Sequence, residues 1–167
     1  GVTIYSTGGT QSYIEQLGVP VTAVEDLTDY PSILDGRVKT LHPKIFGGIL
    51  ARREADHQAQ LKQYKIPEID LVIVDLYPFE ATVASTDDEA TIIEKIDSGG
   101  TSQSRAAAKN NRDVMMSPAQ AQYADLRQLL ETQGATSTLA QRKQMALAAF
   151  QISSHYDVAI YKYFNQE

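Results

Sequence analysis

Four stretches of the sequence carry residue types that can hold an anion or move a proton. Ser6-Thr7-Gly8-Gly9-Thr10 lies between an apolar run and an amphipathic one. Two glycines let the backbone turn tightly and aim N–H groups at one spot, and the hydroxyls add donors. A helix starting there favours negative charge, so the stretch reads as a phosphate cradle. The plainer reading is an ordinary strand–helix turn with Thr10 as N-cap. In Asp35-Gly36-Arg37-Val38-Lys39-Thr40-Leu41-His42-Pro43-Lys44, extended backbone puts Arg37 and Lys39 on one side. Arg grips a phosphate through two donors, Lys acts as a point charge, and Thr40 adds a hydroxyl. The loop suits a nucleotide phosphate or a carboxamide.

Asp75-Leu76-Tyr77-Pro78-Phe79 follows a near-continuous apolar run. It would stand at the carboxyl end of a strand, where open α/β sheets bind ligands. Tyr77 reads there as a ligand contact or, more plainly, as an aromatic lid on the sheet edge. Asp97-Ser98-Gly99-Gly100 precedes Arg105-Ala106-Ala107-Ala108-Lys109-Asn110. A second pair of glycines aims N–H groups at a pocket. Lys109, on a helix of small residues, can lie against low-dielectric surface and move protons. Its plainer reading is an exposed lysine favoured by the helix C-terminus.

Composition narrows the chemistry. With 15 Lys and Arg against 21 Asp and Glu, the 167-residue chain carries a net charge of −6, a poor match to nucleic acid. Positions 36 to 53 nevertheless hold no acid, and carry Arg37, Lys39, Lys44, Arg52 and Arg53 with His42. A local cationic segment on an acidic protein suits a small anion, or is a solvated face balancing acids elsewhere. The absence of cysteine excludes disulfides and thiolate metal sites. His42, His57 and His155 have no metal-ligand spacing, so no metal is expected. No run reaches the ~20 apolar residues of a membrane span, and no signal peptide is visible. A cytoplasmic location is the expectation.

These residues need elements to position them. Strands are expected at 2–5, 19–27, 69–76 and 114–116, the third covered on both faces. The stretch 28–44 reads as irregular and 97–100 as a loop. Helices are expected from Thr10 to Leu17, at 45–53, 54–64, 87–96, 101–110 and 119–133, and from Leu139 to Tyr163. Alternation of strand and helix indicates an α/β, Rossmann-like three-layer domain with a mainly parallel sheet. One domain, 1–167, is the simplest reading.

Taken in order, these pieces resemble one family. Ser-Thr-Gly-Gly-Thr at 6–10, Asp-Gly-Arg-Val-Lys-Thr-Leu-His-Pro-Lys at 35–44, Gly-Gly-Ile-Leu-Ala-Arg-Arg at 47–53, Asp-Leu-Tyr-Pro-Phe-Glu at 75–80 and Arg-Ala-Ala-Ala-Lys-Asn at 105–110 resemble the cyclohydrolase domain of the bifunctional formyltransferase/cyclohydrolase of purine synthesis. The resemblance runs from Gly1 to about Phe164. It implies a methylglyoxal-synthase-like fold, and ring closure of 5-formamidoimidazole-4-carboxamide ribotide (FAICAR) to inosine monophosphate (IMP) without metal or cofactor. It further implies a homodimer. Lys39, Tyr77, Asp97 and Lys109 match the family's catalytic group. Asp97 and Lys109 would handle protons, while Lys39 and Tyr77 position and polarise the reacting groups. Ser6, Thr7, Gly8, Gly9, Arg37 and Thr40 match the nucleotide-binding set, to which Thr10, Asp75, Ser98, Gly99 and Gly100 are added.

The sequence departs from that family in three ways. The family's first strand and helix, and its transformylase domain, are expected to be missing from these 167 residues. Ser98, Thr101, Gln103 and Ser104 stand where the family is apolar or, at Thr101, often proline. Ser117-Pro118 is expected to blunt the strand after Asp113. Methylglyoxal synthase is one alternative of the implied fold, and a non-catalytic nucleotide-binding module or inert fragment is another. The loop at 35–44 argues against the first, and the four matched catalytic residues against the second.

Overall fold

Strands and helices alternate in the computed structural model, which describes residues 1–165. Tyr5–Ser6 (β1), Gly8–Gln16 (α1), Thr22–Ala23 (β2) and Val24–Thr28 (α2) come first. Pro43–Leu50 (α3) and Ala55–Gln63 (α4) follow an irregular stretch. Leu71–Ile73 (β3), Phe79–Val83 (α5), Glu89–Ile93 (α6), Ser98–Lys109 (α7), Met115–Ser117 (β4), Tyr123–Gln133 (α8) and Leu139–Phe164 (α9) complete the order. β1 pairs in parallel with β2, and β3 in parallel with β4. The fold is α/β and Rossmann-like. The strands form two separate parallel pairs among the described residues, not the one sheet expected.

The core lies where α7, α9 and β4 meet. Ala106, Ala107 and Ala108 of α7 and Ala146 and Ala149 of α9 are buried, with Met116, Val114, Val72, Ile45 and Ile49 around them. Small side chains let the two helices approach closely. The larger residues then fill the space, each buried side chain contributing roughly 1.5–3 kcal/mol. The 26-residue α9 starts on a capping box: Gln141 N–H donates to the Thr138 hydroxyl, and Thr138 N–H to Gln141 Oε1. That pairing serves two donors the helix leaves without partners. A second cluster joins Phe79 of α5, Ile92 of α6 and Tyr156 of α9. The Phe79 and Tyr156 rings meet edge to face with centroids 6.2 Å apart.

Several expected elements are corrected. Only Thr22 and Ala23 of the strand expected at 19–27 pair; Val24–Thr28 is helical. Glu25 and Asp26 in its first turn favour the helix start, and Val24 and Leu27, three apart, face the core. The strand expected at 69–76 pairs over Leu71–Ile73, with Met115 N–H donating to the Asp70 carbonyl and Val74 N–H to that of Ser117. It is not covered on both faces: Ile73 is 51% exposed. Phe79–Val83 is an unexpected helix. The loop expected at 97–100 is the first turn of α7, because Asp97 caps it. Ser117 does not blunt β4 but completes it, fully buried; the strand ends at Pro118.

Candidate active site

Gly8 opens α1 with φ +59, a conformation that L side chains rarely adopt. A Cβ built there would stand 3.2 Å from Lys39 Nζ. The loop from Asp35 to Lys44 thus brings its lysine to the N-terminus of α1. Thr10 is not the N-cap. Thr7 holds that position, but its hydroxyl donates to Glu25 Oε1 at 3.0 Å and accepts no hydrogen bond from the helix N–H groups. The leading N–H groups of α1, at Gly8, Gly9 and Thr10, lie on exposed residues, with Ser6 and Thr7 half-buried behind them. An ammonium beside a helix N-terminus makes a site for an anion.

The neighbouring Thr40 joins this turn to a second one. A Cβ at Gly99 would lie 3.2 Å from Thr40 Oγ1, so the loop touches the starts of both α1 and α7. The Asp97 carboxylate caps α7, Oδ1 accepting from Gly100 N–H at 2.6 Å. Ser98 is exposed, while Gly99 and Gly100 are half-buried. Thr101, where the family often has proline, donates its hydroxyl to the Asp97 carbonyl at 2.6 Å.

Arg37 is exposed and pairs with Glu94. The Glu94 carboxylate, by hydrogen bond and by charge, holds the guanidinium's pKa above its ordinary value. Lys95 Nζ lies 5.5 Å from the centroid of the Tyr77 ring, a cation–π distance. Tyr77 is 48% exposed and borders a cleft of about 930 Å³ that runs past Asp75 and Pro118 to His155 and Tyr156. Asp75 Oδ2 accepts from Gln120 Nε2 at 2.8 Å. Burial, and then the Asp75 charge, push the Tyr123 hydroxyl above its ordinary pKa.

Residues 94, 95 and 97 are therefore a strip that ties the basic loop, the Tyr77 turn and the start of α7 together. Lys39, Thr40, Gly8 and Gly99 lie together, Asp97 stands two residues ahead of Gly99, and Tyr77 joins through Lys95. Lys109 is not part of this group. It is exposed at the last position of α7, about 18 Å along the axis from Asp97 at 1.5 Å per residue. Direct exchange of a proton between Asp97 and Lys109 is out of reach.

Sequence reasoning missed Glu94, Lys95 and Tyr156. In the sequence Tyr156 is only one position inside the helix expected from Leu139 to Tyr163. The Asp97 N–H donates to its hydroxyl at 3.0 Å, and the hydroxyl donates to the Lys95 carbonyl. Burial raises its pKa, while the Asp97 amide opposes the shift. The histidines have other work. His42 Nδ1 accepts from Lys44 N–H at 3.1 Å, His57 Nδ1 from Arg52 N–H at 3.0 Å, and His155 pairs with Glu80 at 2.8 Å. No helix among the described residues is long and apolar enough to cross a membrane.

A family model described as an MGS-like domain matches residues 1–102, and one described as an AICARFT/IMPCHase bienzyme matches residues 107–167. The chain is similar to the bifunctional purine biosynthesis protein PurH of Bacteroides thetaiotaomicron, 64% identical over 166 residues that cover 99% of this chain and 33% of that protein. The same protein of Rhodopirellula baltica is 52% identical over 165 residues, 98% of this chain and 31% of that one. The chain thus spans about a third of the length of these curated relatives. Among solved structures, the crystal structure of ForH superimposes with a TM-score of 0.80 at 34% identity, over 97% of this chain and 85% of that one.

Proposed function

We propose that this chain, which belongs to the MGS-like domain family, closes the second ring of a purine nucleotide, converting FAICAR to IMP. The observation that carries this reading is the double contact of the basic loop, Lys39 at the Gly8 turn and Thr40 at the Gly99 turn. Two helix N-termini and a lysine converge there on a space suited to a phosphate or a carboxamide oxygen. The likeness to PurH across almost the whole chain supports the same reading. Residues 1–167 are assigned to one cyclohydrolase-type domain, homodimeric and cytoplasmic.

In the proposed reaction the carboxamide nitrogen attacks the formyl carbon and a C–N bond forms. The formyl oxygen leaves as water, taking one proton from the carboxamide nitrogen and one from the formamido nitrogen. Both reacting groups belong to one molecule, so holding them in register supplies much of the acceleration. Ser6, Thr7, Gly8, Gly9, Thr10, Arg37 and Thr40 hold the nucleotide, joined by Ser98, Gly99 and Gly100 at α7 and by Asp75 beside Tyr77. Lys39 and Tyr77 polarise and position the reacting oxygens. Asp97 and Lys109 handle the protons of the two reacting nitrogens without contact with each other.

The test is the absorbance change on mixing the protein with FAICAR. IMP appearing above the uncatalysed rate is expected. No acceleration by a folded chain, with IMP still raising its melting temperature, would make it a binding module and overturn the catalytic reading. Lys109→Ala is expected to abolish turnover while sparing IMP affinity, and Arg37→Ala to do the reverse. Normal turnover by Lys109→Ala would remove Lys109 from the proton path.

A further inference from the structure

We infer that Tyr156 is a positioning residue: its hydroxyl fixes the segment Lys95–Asp97 and so sets where Asp97 and Tyr77 meet substrate. The inference rests on the reading above, in which those two side chains act on the nucleotide.

Tyr156 is 8% exposed, and its ring stands edge to face against Phe79. The hydroxyl makes two bonds at once. It accepts from the Asp97 N–H at 3.0 Å and donates to the Lys95 carbonyl. An N-cap residue's own N–H lies outside its helix, and Asp97 has no side chain reaching back to serve it as Gln141 serves Thr138. Tyr156 fills that place from a residue 59 positions away.

The Asp97 backbone is thereby pinned on one side by α9, while its carboxylate is pinned on the other by Gly100 N–H at 2.6 Å. Lys95 is held likewise at both ends. Its carbonyl accepts the hydrogen bond of the Tyr156 hydroxyl, and its ammonium lies over the Tyr77 ring. One buried phenol therefore links the two candidate groups that come from different turns of the chain. Only a hydroxyl does this, since it donates and accepts together. A phenylalanine would keep the packing against Phe79 and lose both bonds.

The experiment compares Tyr156→Phe with Phe79→Leu, which loosens the same cluster without removing the hydroxyl. In Tyr156→Phe, amide exchange at Asp97 is expected to rise at least about tenfold, the scale of one lost buried hydrogen bond. Amides of β4 should be unchanged. Turnover of FAICAR should show kcat down by about tenfold with KM within about twofold, the signature of a misplaced reacting group. Phe79→Leu should lower the melting temperature more, yet leave kcat and Asp97 exchange near wild type. Unchanged exchange at Asp97 in Tyr156→Phe, or equal kcat losses in the two variants, would overturn the inference. If the wild-type chain shows no turnover, the reading of function falls, and exchange at Asp97 alone decides the positioning claim.

Discussion

The β1–α1–β2 end of the molecule and the β4–α7–α9 centre are built to opposite standards. α1 buries none of its residues, and β1 and β2 are only half-buried. Val24 is the sole buried apolar residue ahead of Ile45 among the described residues. All three residues of β4 are buried, as are Ala106–Ala108 of α7. The candidate anion-holding groups, Ser6 to Thr10 with Arg37 to Thr40, come from the thinly packed end. Asp97 caps α7 and its partner Tyr156 is buried on α9, both helices of the dense centre. Groups that must admit and release a ligand sit where local opening is cheap, and groups that must be accurate sit where it is costly.

The largest expected effect breaks the centre. Met116→Ala, at a residue 1% exposed, should cost about 3 kcal/mol in urea unfolding, within the usual span for emptying a core methionine. Ile14→Ala, at a half-buried residue of the mostly exposed α1, should cost under about 1 kcal/mol, as a half-exposed side chain leaves little cavity. Equal costs would erase the contrast. Next, Lys39→Ala should weaken IMP binding by roughly ten- to a hundredfold, the worth of a charge-assisted bond, with unchanged urea midpoint. A shifted midpoint would mean that Lys39 holds the fold and not the ligand.

Smaller effects sharpen the picture. Ser104 is 2% exposed and its hydroxyl has no hydrogen-bond partner among the described residues. Ser104→Ala should therefore stabilise the chain by about 1 kcal/mol, removing a desolvated group that makes no bond. A loss of stability would show the hydroxyl to be engaged. The smallest effect is at Asp88, whose carboxylate accepts from the Thr91 hydroxyl and N–H at the start of α6. Those bonds, the hydroxyl's first, hold its pKa below the ordinary 3.8. A depressed folded-state pKa means a contribution fully present above about pH 4 and lost as pH falls through the lowered value. Asp88→Ala should lower the melting temperature slightly at pH 7, and the gap should close in stronger acid. A gap that persisted there would sever it from this carboxylate.

The contrast also explains what the sequence made legible. Gly8, Lys39 and Thr40 were readable because their chemistry is local: a turn, a helix start, alternating side chains on a loop. The cap of α9 was not foreseen but is equally local, since Thr138 and Gln141 are three residues apart. The strand expected at 19–27 failed because its apolar residues satisfy both periods, and the acids at 25 and 26 tip them toward helix. The half-open face of β3 was misread because a continuous apolar run does not say how many faces are covered. Tyr156 was hidden for a different reason. Its partners Lys95 and Asp97 stand 61 and 59 positions away, and only the packed chain brings a phenol to a particular amide.

The run Ala106-Ala107-Ala108 bears on how this sequence can drift over generations. Successive helical positions point about 100° apart, so three buried alanines in a row mean that α7 is enclosed around more than half its girth. Any larger side chain there would push α9 or β4 outward, and such overpacking costs ~1–3 kcal/mol. The packing leaves room in α7 only at its half-buried first turns, at Thr101, Ser102 and Gln103, and at exposed Arg105. Polar residues fit in those first turns, while the alanines behind them leave a lineage almost no room to experiment.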